Sequence, residues 1–284
     1  METSQFEFLT AKARQLRDDA IETIGRFGVG HIGGTMSVMD ALTVIYYAKA
    51  NVDPENPQKA DRDRVIMSKG HAGPAMYVVL ADKGYFPKEW LYTLNAPGTR
   101  LPSHCDMTKT PGIDMTAGSL GQGLSAGVGM ALAAKLDKNP ATIYCFIGDG
   151  ESQEGQIWEA SMFAGSHALD NLIVLLDYNK MQLDGAVHDI NDIAPAKDKW
   201  EAFGFFVQDI DGHDIVAISD AIDNAKAQKG KPSMIVLNTI KGKGASFAES
   251  AANCHSMSIS EDMVRFYFFE HAENRLVRFF FQTI

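Results

Sequence analysis

Long, wholly apolar runs alternate with amphipathic ones from residue 142 onward, and this alternation sets the expected architecture. TIYCFIG (142–148), NLIVLLDYN (171–179), FFVQDI (205–210) and PSMIVLNTI (232–240) read as strands with little or no polar face. Between them, EGQIWEASMFAGSHA, a short segment around Trp200, and IVAISDAIDNAKAQ place apolar residues at helical spacing. Strands that are apolar on both sides need cover on both faces, which a parallel sheet flanked by helices supplies. Upstream, residues 8–27 read as a helix, GVGHIGG as a loop, and 37–50 as a second helix. RVIMS (64–68) reads as a short buried strand with a helix starting after Gly70. The Pro-, Gly- and Thr-rich segment 86–114 reads as surface loop with a short helix near Trp90, and TAGSLGQGLSAGVGMALAAKL as a glycine-rich loop running into a small-residue helix. The expected fold is therefore α/β: three layers, with a mainly parallel sheet and helices on both faces. No internal repeat or linker divides the body.

Composition narrows the classes of partner. The chain has 284 residues, 45% hydrophobic and 22% charged, enough for a sizeable core. Its net charge of -10 argues against nucleic acid or an anionic membrane, both of which call for a basic face. It does not exclude phosphorylated ligands, since a metal and a few local cations override net charge. No apolar run is long enough to span a bilayer, and the polar N-terminus lacks a secretory signal. Cys105, Cys145 and Cys254 form no C-x-x-C pair and read as free thiols, so a cytoplasmic setting is expected.

Two strand ends carry the chemistry. Gly148-Asp149-Gly150 ends one strand, and about thirty residues later the next ends in Asp177-Tyr178-Asn179. With one helix between them the strands should be neighbours, and ligands of such sheets bind at the carboxyl ends of strands. A carboxylate, an amide oxygen and a backbone carbonyl from the following loop suit a hard cation such as Mg²⁺, with diphosphate oxygens and water completing six ligands. Gly148 and Gly150 let the backbone approach phosphate closely, and the next helix N-terminus adds positive potential. GDG alone also occurs in turns; its strand-end position and the spacing to Asn179 make it specific.

GDGESQEGQIWEA followed by LDYNKMQLDG resembles the diphosphate-binding motif of thiamine-diphosphate enzymes, and more narrowly that of transketolases. By that resemblance Asp149, Asn179 and the carbonyl of Met181 hold Mg²⁺ (Ca²⁺ or Mn²⁺ substituting), and Gly148 and Gly150 meet the diphosphate. Glu154 matches a family glutamate at the dimer interface that couples two active sites, and Glu159 a second acid of the same helix. Lys69 in SKGHAGP and Lys241 in TIKGKG resemble lysines near the diphosphate, where a flexible ammonium acts as a point charge. Gly118, Ser119 and Leu120 match a loop beside the cofactor's rings.

Four of eight histidines fall in telling contexts: His31 in GVGHIGG, His71 in SKGHAGP, His104 in LPSHCD and His255 in ANCHSM. None has metal-ligand spacing, so zinc is a poor reading. Imidazoles titrate near neutrality and suit the repeated proton movements of ketol transfer. Carried over from the family, His31 and His255 contact ketose oxygens, His71 lies near the thiazolium and diphosphate, and His104 touches the donor sugar. Two departures stand out: Ile32 follows His31 where the family often has proline, and Cys254 precedes His255 in place of glycine.

The resemblance runs from about residue 11 to 255, which corresponds to the diphosphate-binding domain. Full transketolase chains add pyrimidine-binding and C-terminal domains, so the resemblance implies either that a second polypeptide supplies them, in an α2β2 assembly acting on sugar phosphates as one half of a split transketolase, or that the sequence is a truncated piece. Residues 1–257 are then the diphosphate domain and 258–284, with FYFF and RLVRFFFQTI, a tail that could dock a partner. GDG alone also permits deoxyxylulose-phosphate synthesis or 2-oxo acid decarboxylation, and a non-catalytic cofactor-binding subunit is a further alternative.

Overall fold

The computed structural model describes residues 1–183, 185–249 and 251–281, with side chains described as far as Ala272. Five parallel strands form the central sheet: β1 (Arg64–Met67), β2 (Ile143–Gly148), β3 (Leu172–Tyr178), β4 (Phe206–Asp211) and β5 (Ser233–Asn238), in the order β1-β2-β3-β5-β4. Successive residues of each strand enter opposite cores. Tyr144, Phe146, Ile173, Leu175, Ile235 and Leu237 face one; Ile143, Cys145, Ile147, Val174, Leu176, Met234 and Val236 face the other. That is why the strands read as continuous apolar runs: both sides of the pleat are dry.

The first core is covered by α1 (Thr3–Phe27), α2 (Ile32–Ser37), α3 (Met39–Val44), α4 (Gly73–Lys83) and, beyond β4, α8 (Ile215–Ala227). The second is covered by α5 (Gln122–Leu136), α6 (Gly155–Ser166) and α7 (Ala196–Ala202). α1 buries Leu9, Ala13, Leu16, Ala20 and Ile24, one face at three- and four-residue spacing. It stops at Gly28, whose φ of 87° closes the helix with an N–H to the Ile24 carbonyl. α8 starts at Asp214, whose carboxylate accepts from the N–H groups of Val216 and Ala217.

One local expectation differs from the structure. GVGHIGG is not wholly a loop: α2 begins at Ile32, and 32–49 is a broken series of short helices, not one helix from 37. Gly33 permits this, because its N–H bonds the Cys254 carbonyl at 2.8 Å and a Cβ there would lie 2.6 Å from that oxygen. The described part of the tail packs in part on the body. Met257–Ser258 pairs antiparallel with Val29–Gly30, and a long helix, α9 (Glu261–Phe281), follows. Tyr267 is buried with its hydroxyl donating to Asp18 at 2.9 Å, and Val264 packs on Gly25. Phe266, Phe268 and Phe269 stay exposed. The side chains of RLVRFFF and the whole of 282–284 lie outside the described residues. No described helix is long and apolar enough to cross a membrane.

Candidate active site

The carboxyl ends of β2 and β3 are in register, Gly148 opposite Asp177, so the segments that follow meet at one edge of the sheet. They line a cavity of about 310 Å³ together with Gly34, Lys69, His71, His104, Gly118, Leu120, Glu154, Lys241 and His255. Within it, Asp149 is buried and bonds only backbone: Oδ1 accepts from Gly150 N–H at 2.8 Å and Oδ2 from Lys180 N–H. Asn179 donates its amide N–H to Asp177 Oδ2 at 2.9 Å, and its Oδ1 accepts from Met181 N–H at 3.1 Å. Burial, reinforced by the charge of Asp177, pushes the Asp149 carboxyl up to about 7. A buried carboxylate with no cation bonded to it is the kind of group a metal ion stabilises.

The donor set fits a hard divalent cation. Asp149, Asn179 and Met181 all line the cavity and offer one carboxylate, one amide and one carbonyl oxygen. Among the described residues no three His, Cys, Asp or Glu side chains form a metal cluster. A site of this composition leaves positions for phosphate oxygens, as Mg²⁺ requires. Lys241 Nζ lies at the same place, donating to the carbonyls of Met181 and Gln182 at 3.2 Å each.

Backbone packing gathers the four imidazoles. Gly33 joins the His31 segment both to Cys254 and, through its carbonyl, to Gly242 N–H at 3.0 Å, which brings His255 and Lys241 alongside. Gly70 presses on the 117–118 backbone so closely that a Cβ would meet the Ala117 carbonyl oxygen at 2.2 Å. Its own carbonyl accepts from Cys105 N–H at 3.3 Å, and the Cys105 carbonyl from Ala117 N–H at 3.0 Å, which ties His71, His104 and Gly118 together. The His31 ring centre then lies 5.5, 5.3 and 5.4 Å from those of His71, His104 and His255, and His71 lies 4.6 Å from His255.

Burial lowers all four imidazoles. His31 falls to about 4, helped by His104 and Lys241, and His255 to about 4, helped by Lys241 and His31. His71 lies well below its ordinary value, with Lys69 the next contributor, and burial alone lowers His104. At neutral pH the cluster is uncharged and can both donate to and accept from hydroxyl groups. Because the folded chain binds fewer protons than the unfolded chain between about pH 6.5 and 4, these groups make stability fall as pH drops through that window. Asp149, raised to about 7, works in the opposite sense. Comparing wild type with His31→Gln/His255→Gln isolates the imidazoles. The variant should lose less stability between pH 7 and 5, by about 1 kcal/mol per histidine once solvent screening is allowed for, as read from melting curves at each pH. Parallel melting curves would refute the burial argument.

The remaining candidates divide between the rim and the interior. Glu154 is exposed at the cavity's edge and starts α6; Glu159 is exposed on the same helix. Ser119 is exposed between Gly118 and Leu120. Lys69 is only 2% exposed and is paired with Asp177, with a longer bond to the Gly34 carbonyl at 3.3 Å. Two buried carboxylates lie within the quoted motif stretches but outside the candidate site residues read from them. Asp177, fully buried, is held by Lys69, Ser37 Oγ at 2.7 Å, Thr239 Oγ1 and Asn179. Glu151, 2% exposed, is the other. The sole hint of Asp177 in its local composition is an acidic residue abutting an apolar run, and Glu151, between Gly150 and Ser152, has none.

The sheet, the oxygen donors at adjacent strand ends and the facing imidazoles define a cofactor-binding α/β domain of the thiamine-diphosphate class. The profile of the family described as transketolase, thiamine diphosphate binding domain, matches residues 9–269. A 6-deoxy-6-sulfo-D-fructose transketolase subunit of Clostridium sp. is 58% identical over 90% of this chain and 93% of its own. A subunit of the apulose-4-phosphate transketolase from Phocaeicola vulgatus is 38% identical over 88% and 89%. The crystal structure of transketolase from Campylobacter jejuni superposes with a TM-score of 0.86 at 33% identity, covering 90% of this chain and 41% of that one. The chain belongs to the transketolase family, in the part that binds thiamine diphosphate. It spans about two fifths of that solved transketolase, and nearly the whole of relatives named as subunits.

Proposed function

We propose that this chain is the thiamine-diphosphate- and Mg²⁺-binding half of a split, cytoplasmic transketolase, completed by a second chain carrying the pyrimidine-binding domain in an α2β2 assembly. The supporting observation is one cavity that combines the oxygen donors of Asp149, Asn179 and Met181 with three of four clustered imidazoles, the fourth, His31, lying against them. In this reading those three oxygens hold Mg²⁺, Gly148 and Gly150 admit the diphosphate, and Lys241 supplies a nearby positive charge. Lys69, committed to Asp177, acts on the phosphates through its field alone. Thiamine diphosphate, when bound, supplies the electron sink for carbon–carbon cleavage. His31 and His255 hold or move protons at the ketose hydroxyl oxygens, His104 orients the donor, and His71 lies beside the cofactor. Gly118, Ser119 and Leu120 border the cofactor's rings, and Glu154 meets a second copy.

The donor is a ketose with an anion at its far end. Kinship with the sulfo-fructose subunit favours a 6-deoxy-6-sulfo ketose over a ketose phosphate. Assay of the chain with its partner should give ketol transfer from 6-deoxy-6-sulfofructose with kcat/KM at least about tenfold above that from fructose 6-phosphate, and no turnover of pyruvate. A tenfold preference corresponds to about 1.4 kcal/mol of transition-state discrimination, within reach of a single altered polar contact. Preference for the phosphate ester would overturn the choice of sugar, and turnover of pyruvate would overturn ketol transfer itself.

A further inference from the structure

We infer that Glu151 is a positioning residue that locks together three of the loops that line the cofactor cavity; this rests on the functional reading above. Its carboxylate sits at the cavity's inner wall and bonds a different loop with each contact. Oε1 accepts from Ser68 Oγ–H at 2.5 Å and from Gly121 N–H at 2.8 Å, and Oε2 accepts from Gly148 N–H at 3.0 Å. Each anchor adjoins residues that line the cavity. Ser68 precedes Lys69 and His71; Gly121 follows Gly118 and Leu120; Gly148 precedes Asp149 and Gly150. No cation is bonded to the carboxylate, so three hydrogen-bond donors from three separate loops compensate its buried charge. The loops are otherwise far apart in sequence: Ser68 lies 83 positions from Glu151 and Gly121 lies 30. Packing brings two of these segments into close contact, since a Cβ on Gly123 would lie 2.6 Å from Ser68. Water or an apolar residue in place of Glu151 would leave the Gly121 and Gly148 N–H groups without this acceptor, and the strand-end loops would lose a common reference point.

Glu151→Gln tests this with almost no change of volume. Either orientation of the new amide turns an NH₂ toward an N–H donor, at Gly121 or at Gly148, so one loop is released. Two readouts are taken: thiamine diphosphate affinity at saturating Mg²⁺ by titration calorimetry on the chain assembled with its partner, and hydrogen exchange of the Gly121 and Gly148 amides. The expected result is a Kd about tenfold higher and exchange about tenfold faster at one or both amides, with a far-UV spectrum unchanged. Ser68→Ala, which removes one donor and leaves the carboxylate, should raise Kd about threefold; it carries the test if Glu151→Gln does not fold. Wild-type Kd together with wild-type exchange in folded Glu151→Gln would overturn the inference, as would a lowered melting temperature with Kd unchanged, the signature of a merely structural carboxylate. If the wild-type chain together with its partner bound no Mg²⁺–thiamine diphosphate, the functional reading would fall instead, and the exchange measurement would still decide whether Glu151 holds the loops.

Discussion

Asp149→Asn should weaken Mg²⁺-dependent binding of thiamine diphosphate about a hundredfold or more while leaving the metal-free chain within about 1 kcal/mol of wild-type stability. The two effects separate because the carboxylate serves the cation and costs the empty fold. In the structure it is 2% exposed, is bonded by the N–H groups of Gly150 and Lys180, and shares its surroundings with the buried Asp177. Asparagine removes the desolvated charge and forfeits one acceptor, and these terms nearly offset. Toward Mg²⁺ nothing offsets the loss, because Asp149 is the single carboxylate of the proposed set; two tenfold steps correspond to about 3 kcal/mol. The pH dependence provides a second signature. With its carboxyl pushed up to about 7, wild type must release a proton to take the metal, so its affinity should fall roughly tenfold per pH unit below neutrality. Asp149→Asn should lack that slope. Calorimetry at pH 6, 7 and 8 reads both quantities, and undiminished affinity in the variant would remove the metal from Asp149.

Why the sheet is legible in the sequence and parts of the site are not comes down to distance along the chain. The strands at 143–148, 172–178 and 233–238 declare themselves because helices cover both faces and most of their positions are apolar. Asp149 and Asn179 declare themselves because the βαβ rule makes neighbours of two strand ends. The helix at 32–37 reads as loop because glycines disfavour helix locally; the bond from Gly33 to Cys254, more than two hundred residues away, decides the matter. Asp177 and Glu151 are hidden for the same reason. A carboxylate's burial depends on donors from remote segments, and in GDGESQEG the buried Glu151 and the exposed Glu154 have the same composition around them. The imidazoles group by resemblance to a family, whereas their convergence comes from backbone contacts at Gly33 and Gly70 that no periodicity encodes.

Lys69→Met should destabilise the folded chain by about 3–5 kcal/mol, roughly 10 °C in melting temperature, more than the loss of any exposed ion pair. Lys69 and Asp177 are 2% and 0% exposed, so neither charge is repaid by water when the other is removed. Burial alone would raise the Asp177 carboxyl; the Lys69 charge and hydrogen bond, with Thr239 and Ser37, bring it below its ordinary value. In wild type this group therefore stabilises the fold above about pH 4 and costs nothing near neutrality. Without Lys69, Asp177 faces Asp149 with neutral donors alone, and its folded value must rise above the unfolded one. The native chain then binds the extra proton, so the variant should regain stability, relative to wild type, as pH falls from 8 to 6. Adding Asp177→Asn to Lys69→Met should restore most of the loss and abolish that pH response, because the double variant buries no unpaired charge. A cavity left by the shorter side chain would lower stability equally at every pH and would not be rescued at Asp177. Melting curves of the four proteins at pH 6 and 8 therefore tell an electrostatic keystone from simple packing, and a coupling between the two positions below about 1 kcal/mol would mean that Asp177 is held by its hydroxyl and amide donors without help from the lysine.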